Sequence, residues 1–134
     1  MNRISIEKWT VPVAAAEAAI TGIVLIVSPP LFARLIMGVE LGSAAEVLGR
    51  LAGIAMLGTG LAAWSSPQEQ SHPRSSVRAL LVYNLLATIY LGYLGLGGRL
   101  TGVLLWPAIA LHAIFAVLLA SGYLSAKSSA EAHV

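Results

Sequence analysis

The chain has no cysteine among its 134 residues, which excludes disulfides, thiolate metal ligands and thiol redox relays within it. Charge is nearly as scarce. Eight Lys and Arg with six acidic residues amount to 10% of the sequence and leave a formal net charge of +2. So few basic residues, spread over tails and loops, form no nucleic-acid footprint. No nucleophile triad, phosphate loop or metal-ligand cluster is visible either. The sequence therefore names no catalytic residue and no metal site, leaves any cofactor unknown, and favours a non-enzymatic role over an enzyme without deciding between them.

What is there instead is hydrocarbon. Hydrophobic residues make up 57% of the chain and the mean hydropathy is +0.82, outside the range of ordinary soluble domains. A bilayer core roughly 30 Å thick needs about 20 helical residues to cross it. Four apolar runs qualify, at about 10–28, 44–64, 78–96 and 102–123, with a polar loop at 65–77 and a tail at 124–134 expected to be mobile. The expected fold is all-α: a single polytopic membrane domain of four transmembrane helices in an antiparallel bundle, plus a short interfacial helix after the first span. The N-terminal MNRISIEKW followed by an apolar run resembles a signal peptide, but Ser28-Pro29-Pro30 is a poor cleavage site, so the segment reads as a retained anchor.

Ser43 to Trp64, SAAEVLGRLAGIAMLGTGLAAW, carries two charges inside a span, Glu46 and Arg50. A charge within hydrocarbon costs at least about 2.5 to 3.5 kcal/mol, so the bundle interior, a partner or the interface must receive Arg50. Ser43-x-x-Glu46 matches a capping box, and Glu46 also stands four residues before Arg50, the better order for a helical ion pair. Ser43, Glu46, Arg50, Gly53, Leu57, Gly60 and Trp64 share a face, with Gly49-x-x-x-Gly53 beside it predicting close helix approach, within the chain or to a second copy. Ser28-Pro29-Pro30 should end the first span, and Leu31 to Gly38 should lie along the interface. Gly95, Gly97 and Gly98 should break the third span. Trp9 and Trp106 mark interfaces, with Pro107 tolerated beside the latter.

Each other span holds one polar liability: Glu17, Asn84 or His112. Counted from the interface nearest the termini, Asn84 and Glu17 lie at roughly 10 to 12 Å, His112 at roughly 15 Å, and Arg50 with Tyr90 at roughly 20 Å. One layer could join Glu17, Asn84 and His112, and a second Arg50, Tyr90 and Glu46. Read functionally, Glu17 and His112 form a proton-linked site suited to transport or quinone chemistry. Read structurally, the same residues are hydrogen-bonding partners that fix helix packing, each bond contributing about 0.6 kcal/mol on average. Tyr83, Tyr90 and Tyr93 read as packing or interface aromatics, and the loop His72 as solvated. Arg3, Lys8, Arg74, Arg78 and Lys127 fall on the side of the termini, against Arg34 and Arg99 opposite, which favours both termini in the cytoplasm.

The glycine-rich, arginine-bearing LGRLAGIAMLGTGL at 48–61, with PPLFARLIMG before it and RALLVYNLLATIYLGYLG after it, resembles the DoxX-like set of small four-helix membrane proteins. The resemblance is one of plan across most of the chain. It implies a bacterial cytoplasmic-membrane protein, some members of the set being associated with quinone-linked sulfur oxidation or redox stress. A family arginine is expected near the first span, so no role passes to Arg50. Glu17 within AAAEAAITG looks similar to the first-helix glutamate of small multidrug resistance transporters, although the later aromatic and glycine motifs of that family are missing. These readings converge on an accessory or assembly subunit, or a binder of a hydrophobic small molecule, lipid or quinone, through a polar bundle interior. Membrane lipid, a quinone, another membrane subunit or a second copy are the expected partners. The alternative is a proton-coupled transporter working as a homodimer through Glu17.

Overall fold

The computed structural model describes the backbone of residues 3–64 and 73–131, with side chains at 9–64 and 75–124. These residues are almost wholly helical: α1 (Arg3–Val27), α2 (Pro29–Phe32), a π-helical turn (Ala33–Met37), α3 (Ser43–Trp64), α4 (Pro73–Leu96) and α5 (Leu105–Glu131). Four segments are long and apolar enough to cross a bilayer, Trp9–Val27, Ser43–Trp64, Ser75–Leu96 and Leu105–Leu124. The chain is thus a small all-α integral membrane protein.

The four long helices associate as two pairs, α1 with α3 and α4 with α5, joined by the flanks of α1 that reach α5 and α4. The α1–α3 seam is backbone against backbone. A methyl group added to Gly53 would lie 2.7 Å from the Gly22 carbonyl oxygen, and one added to Gly60 would lie 2.6 Å from that of Ala15. The Gly49-x-x-x-Gly53 pattern therefore works within the chain, with Gly49 resting on the Pro29 ring. Apolar surface gains little by leaving lipid, so this close approach, and the dispersion contacts it permits, holds the pair. Near the end that holds the termini the helices converge on Ala14, Ala15, Ala63, Leu80, Phe115 and Leu119.

Local chemistry sets the breaks. Ser28, restricted by the proline after it, leaves helical geometry at φ −147°, and Pro29 and Pro30 open α2, where a missing N–H is no loss. The π-helical turn closes when the Gly38 N–H donates to the Ala33 carbonyl at 2.9 Å, with Gly38 at φ 72°. This segment occupies the place expected of the interfacial helix, and it is also fastened to the chain ahead of α5. Thr101 N–H donates to the Met37 carbonyl at 3.1 Å and Leu104 N–H to that of Leu35 at 2.9 Å. Gly102 sits so close to the Ile36 backbone that any side chain would overlap it.

Four boundaries differ from expectation. The fourth span begins at Leu105 rather than 102, because residues 101 to 104 are committed to those bonds; Pro107 then falls in its first turn, where helices tolerate proline. Helix α4 starts at Pro73, inside the expected loop; residues 65–72 of that loop lie outside the described residues. Helix α5 runs on to Glu131 through most of the expected tail, whose last residues, 132–134, also lie outside the described set. Gly95 does not break α4 but packs against Leu105, and the helix ends where Gly98 turns left-handed at φ 66°.

Candidate functional site

On α1, Val13, Glu17, Ile20 and Thr21 recur at helical spacing on the flank facing α5. Leu111 and Phe115 of α5 oppose them, and Ile36 of the π-helical turn closes the end away from the termini. Between these walls is a groove of about 510 Å³, within the range of about 300 to 1,000 Å³ usual for small-molecule sites. It opens sideways between two spans, past the exposed Val13 and Ile20, so its mouth faces the bilayer. The π-helical turn reaches this position through its bonds to residues 101 to 104, which hold Ile36 beside Leu104.

Among the described residues lining the groove, Glu17 and Thr21 are the polar ones. The Thr21 hydroxyl donates to Glu17 Oε1 at 3.0 Å. Glu17 Oε2 is buried with no hydrogen-bond partner, the one fully buried side-chain polar atom so placed among the described residues. Leaving such an atom unsatisfied costs about 1 to 3 kcal/mol, and native structures rarely carry one without a reason. Glu17 lies roughly 12 Å along α1 from Trp9, well inside the span.

Asn84 and His112 come together as expected, without a hydrogen bond to Glu17. The Asn84 amide donates to the Leu80 carbonyl at 2.9 Å, which turns its Oδ1 towards His112 Nδ1, also at 2.9 Å. Nδ1 must therefore carry the proton, leaving Nε2 as the lone-pair nitrogen of the neutral ring. Tyr83 meets the imidazole edge-on at 5.5 Å between ring centroids. Asn84 and His112 are both buried, so this cluster has the form of a packing lock between α4 and α5. The expected direct link between Glu17 and His112 is not made, since each is bonded elsewhere.

The second expected layer forms only in part, as the expected helical ion pair of Glu46 and Arg50. Arg50 points outward, with 47% of its side chain exposed, and its Nη2 donates to Glu46 Oε2 at 3.5 Å. The line of closest approach to α1 belongs to Gly53 and Gly60, where no side chain fits; Arg50 lies round the helix from that line. Glu46 turns to Arg50, and the capping-box bond to Ser43 is not formed; the Glu46 N–H donates instead to the Gly42 carbonyl at 3.1 Å. Tyr90 is exposed on α4. At the same end of the bundle Arg34 pairs with Glu40 at 2.8 Å, both exposed. Among the described residues, no cluster of His, Cys, Asp or Glu is placed to hold a metal ion.

Sequence reasoning singled out Glu17 but missed the groove. Val13, Ile20 and Thr21 do not stand out within the apolar first span, and Ile36 and Leu104 reach the site through backbone bonds that leave no mark in residue spacing. No family model matches the chain, and no curated protein or solved structure shows significant similarity to it.

Proposed function

We propose that this protein binds a hydrophobic small molecule, lipid-like or quinone-like, which enters from the bilayer and seats against Glu17 in the groove between α1 and α5. The observation that carries this reading is the apolar groove itself, opening between α1 and α5 with Glu17 and Thr21 as the polar residues of its described lining. Such a site selects by apolar fit and orients its guest through one polar contact. The resemblance to DoxX-like proteins makes a quinone one candidate. Native mass spectrometry on gently purified protein tests the proposal. Wild type is expected to retain a lipid or quinone that Glu17→Gln and the groove-filling Ala108→Phe lose; equal retention by all three would overturn it.

The outward Arg50 favours a second reading, an accessory role beside another membrane subunit. An intramembrane arginine is ordinarily received by protein or a polar boundary, and here its one described partner is Glu46 at 3.5 Å. In the same spectra Arg50→Ala is expected to release a bound subunit while keeping the small molecule. An unchanged assembly would remove the accessory reading alone.

A further inference from the structure

Of the described residues lining the groove, Ile36 alone comes from neither α1 nor the chain that leads into α5. Its backbone is pinned on both sides. The Leu35 carbonyl accepts from the Leu104 N–H at 2.9 Å and the Met37 carbonyl from the Thr101 N–H at 3.1 Å. Gly102 lies against the Ile36 backbone itself, with no room for a side chain between them. The π-helical turn is therefore held in register with the start of α5, and the Ile36 side chain fixes where the groove stops. The two walls run from Val13 to Thr21 on α1 and from Pro107 to Phe115 on α5, about 12 Å on each. Counted from the exposed Trp9, which marks the boundary on the side of the termini, that stretch covers depths of roughly 6 to 18 Å. A bilayer core about 30 Å thick gives each leaflet about 15 Å of tails, so the groove matches the depth of one leaflet's hydrocarbon.

Resting on the binding role proposed above, we infer that the groove holds one hydrocarbon chain of a lipid-like amphiphile from the leaflet on the side of the termini, and that Ile36 determines the longest chain it admits. The chain lies along α1 and α5 with its terminal methyl group against Ile36. The mouth of the groove is continuous with the lipid-facing surface at Val13 and Ile20, so a chain enters sideways without crossing water. A lipid of the opposite leaflet would have to come in through the end that the π-helical turn closes. Glu17 keeps one carboxylate oxygen buried and the other on the Thr21 hydroxyl, and the seating of a chain tip at Ile36 draws on neither.

The experiment titrates the protein, in a short-chain detergent, with lysophosphatidylcholines from decanoyl to stearoyl, which share a headgroup and differ only in the length of one chain. Native mass spectrometry reads the bound fraction, and Ala108→Phe, which fills the groove, gives the background at each length. Affinity of wild type above that background is expected to rise roughly fourfold per added methylene, as burial of each implies, and then to stop rising at a limiting length. Ile36→Ala is expected to raise that limit by about two methylenes, into the space it vacates, and Ile36→Trp to lower it; both keep the backbone bonds that hold the turn. A limit that stays put in both variants, or a wild-type affinity that climbs through stearoyl without one, would overturn the assignment of Ile36 and leave the binding role standing. Wild type that retains its copurified small molecule yet takes up no lysophosphatidylcholine would overturn the chain-like occupant and likewise leave the binding role. Uptake equal in wild type and Ala108→Phe at every length would overturn the inference, and equal retention of the copurified molecule by both would remove the binding role with it.

Discussion

Helix α1 meets α3 at Gly22, Gly53 and Gly60 with no room for a methyl group, while along α5 the same helix stands off far enough to leave a groove of about 510 Å³. Both seams lie in the same apolar surroundings, and side-chain size separates them. Glycine and alanine let two backbones touch, whereas the open seam is lined by the bulkier Ile20, Leu111 and Phe115. In a membrane, where exclusion from water drives little helix association, small residues decide which helices adhere. Bulky ones then decide where space remains for a guest. One helix can in this way anchor the scaffold on one flank and carry a site on the other.

The sharpest way to break this comparison is to give the tight seam a side chain. Gly60→Leu places its first carbon 2.6 Å from the Ala15 carbonyl oxygen and 2.8 Å from the Ala19 amide nitrogen, both backbone atoms of a rigid helix. Overpacking a core costs about 1 to 3 kcal/mol and occasionally more, and a clash with backbone belongs at the upper end. The expected outcome is loss of the folded protein, read from thermal unfolding by circular dichroism in detergent. Gly60→Ala should fold with a lowered melting temperature. A Gly60→Leu protein as stable as wild type would mean that α1 and α3 do not touch there.

Next in size is the third seam, which a polar pair holds. Asn84→Leu leaves His112 Nδ1 buried without its acceptor, an expected loss of about 1 to 3 kcal/mol. The coupling between the two side chains, from a double-mutant cycle with His112→Leu, should fall below about 2 kcal/mol, as interhelical hydrogen bonds in membranes do. If the double variant proves less stable than the sum of the singles predicts, the pair is not the lock that its geometry indicates.

These two seams differ in how far they could be read from sequence. Apolar run length gave the four spans, and Ser28-Pro29-Pro30 and Gly38 gave the interfacial turn, because chain stiffness and left-handed backbone are properties of single residues. The Gly49 and Gly53 pattern was legible as close packing, but its partner was not, since the contact needs Gly22 and Ala15 on another helix. Arg50 was placed with the glycines because spacings of three and four spread a face over a wide arc; only the contact itself shows that its narrow centre excludes a long side chain. Glu17, Asn84 and His112 were each visible as polar residues in apolar runs. Which of them would meet depended on helix rotation, and a single residue step, about 100° of helix, separates Leu111, facing the groove, from His112, facing Asn84.

A smaller stability effect sharpens the other side of the comparison. Ala108→Phe adds bulk to the open seam, as Gly60→Leu does to the closed one, yet Ala108 lines the groove, whose space can take the added ring. Its melting temperature should stay close to that of wild type while retention of the small molecule is lost. A large loss of stability would mean that the groove is closed in the membrane.

The smallest expected effect belongs to Gly58, on the same helix as Gly53 and Gly60 but turned outward, where an added methyl group meets nothing within 4 Å. Gly58→Ala should leave the fold intact or stabilise it by up to about 1 kcal/mol, since alanine is the better helix former. Its value lies in the opposite result. The outer face of α3 also exposes Leu51, Ile54 and Leu61, and in a single bundle lipid is their neighbour. A methyl group at Gly58 that weakened self-association, measured by analytical ultracentrifugation in detergent, would show that a second copy packs on this face as closely as α1 does on the other. An unchanged association would confine the small-residue packing of α3 to the seam with α1.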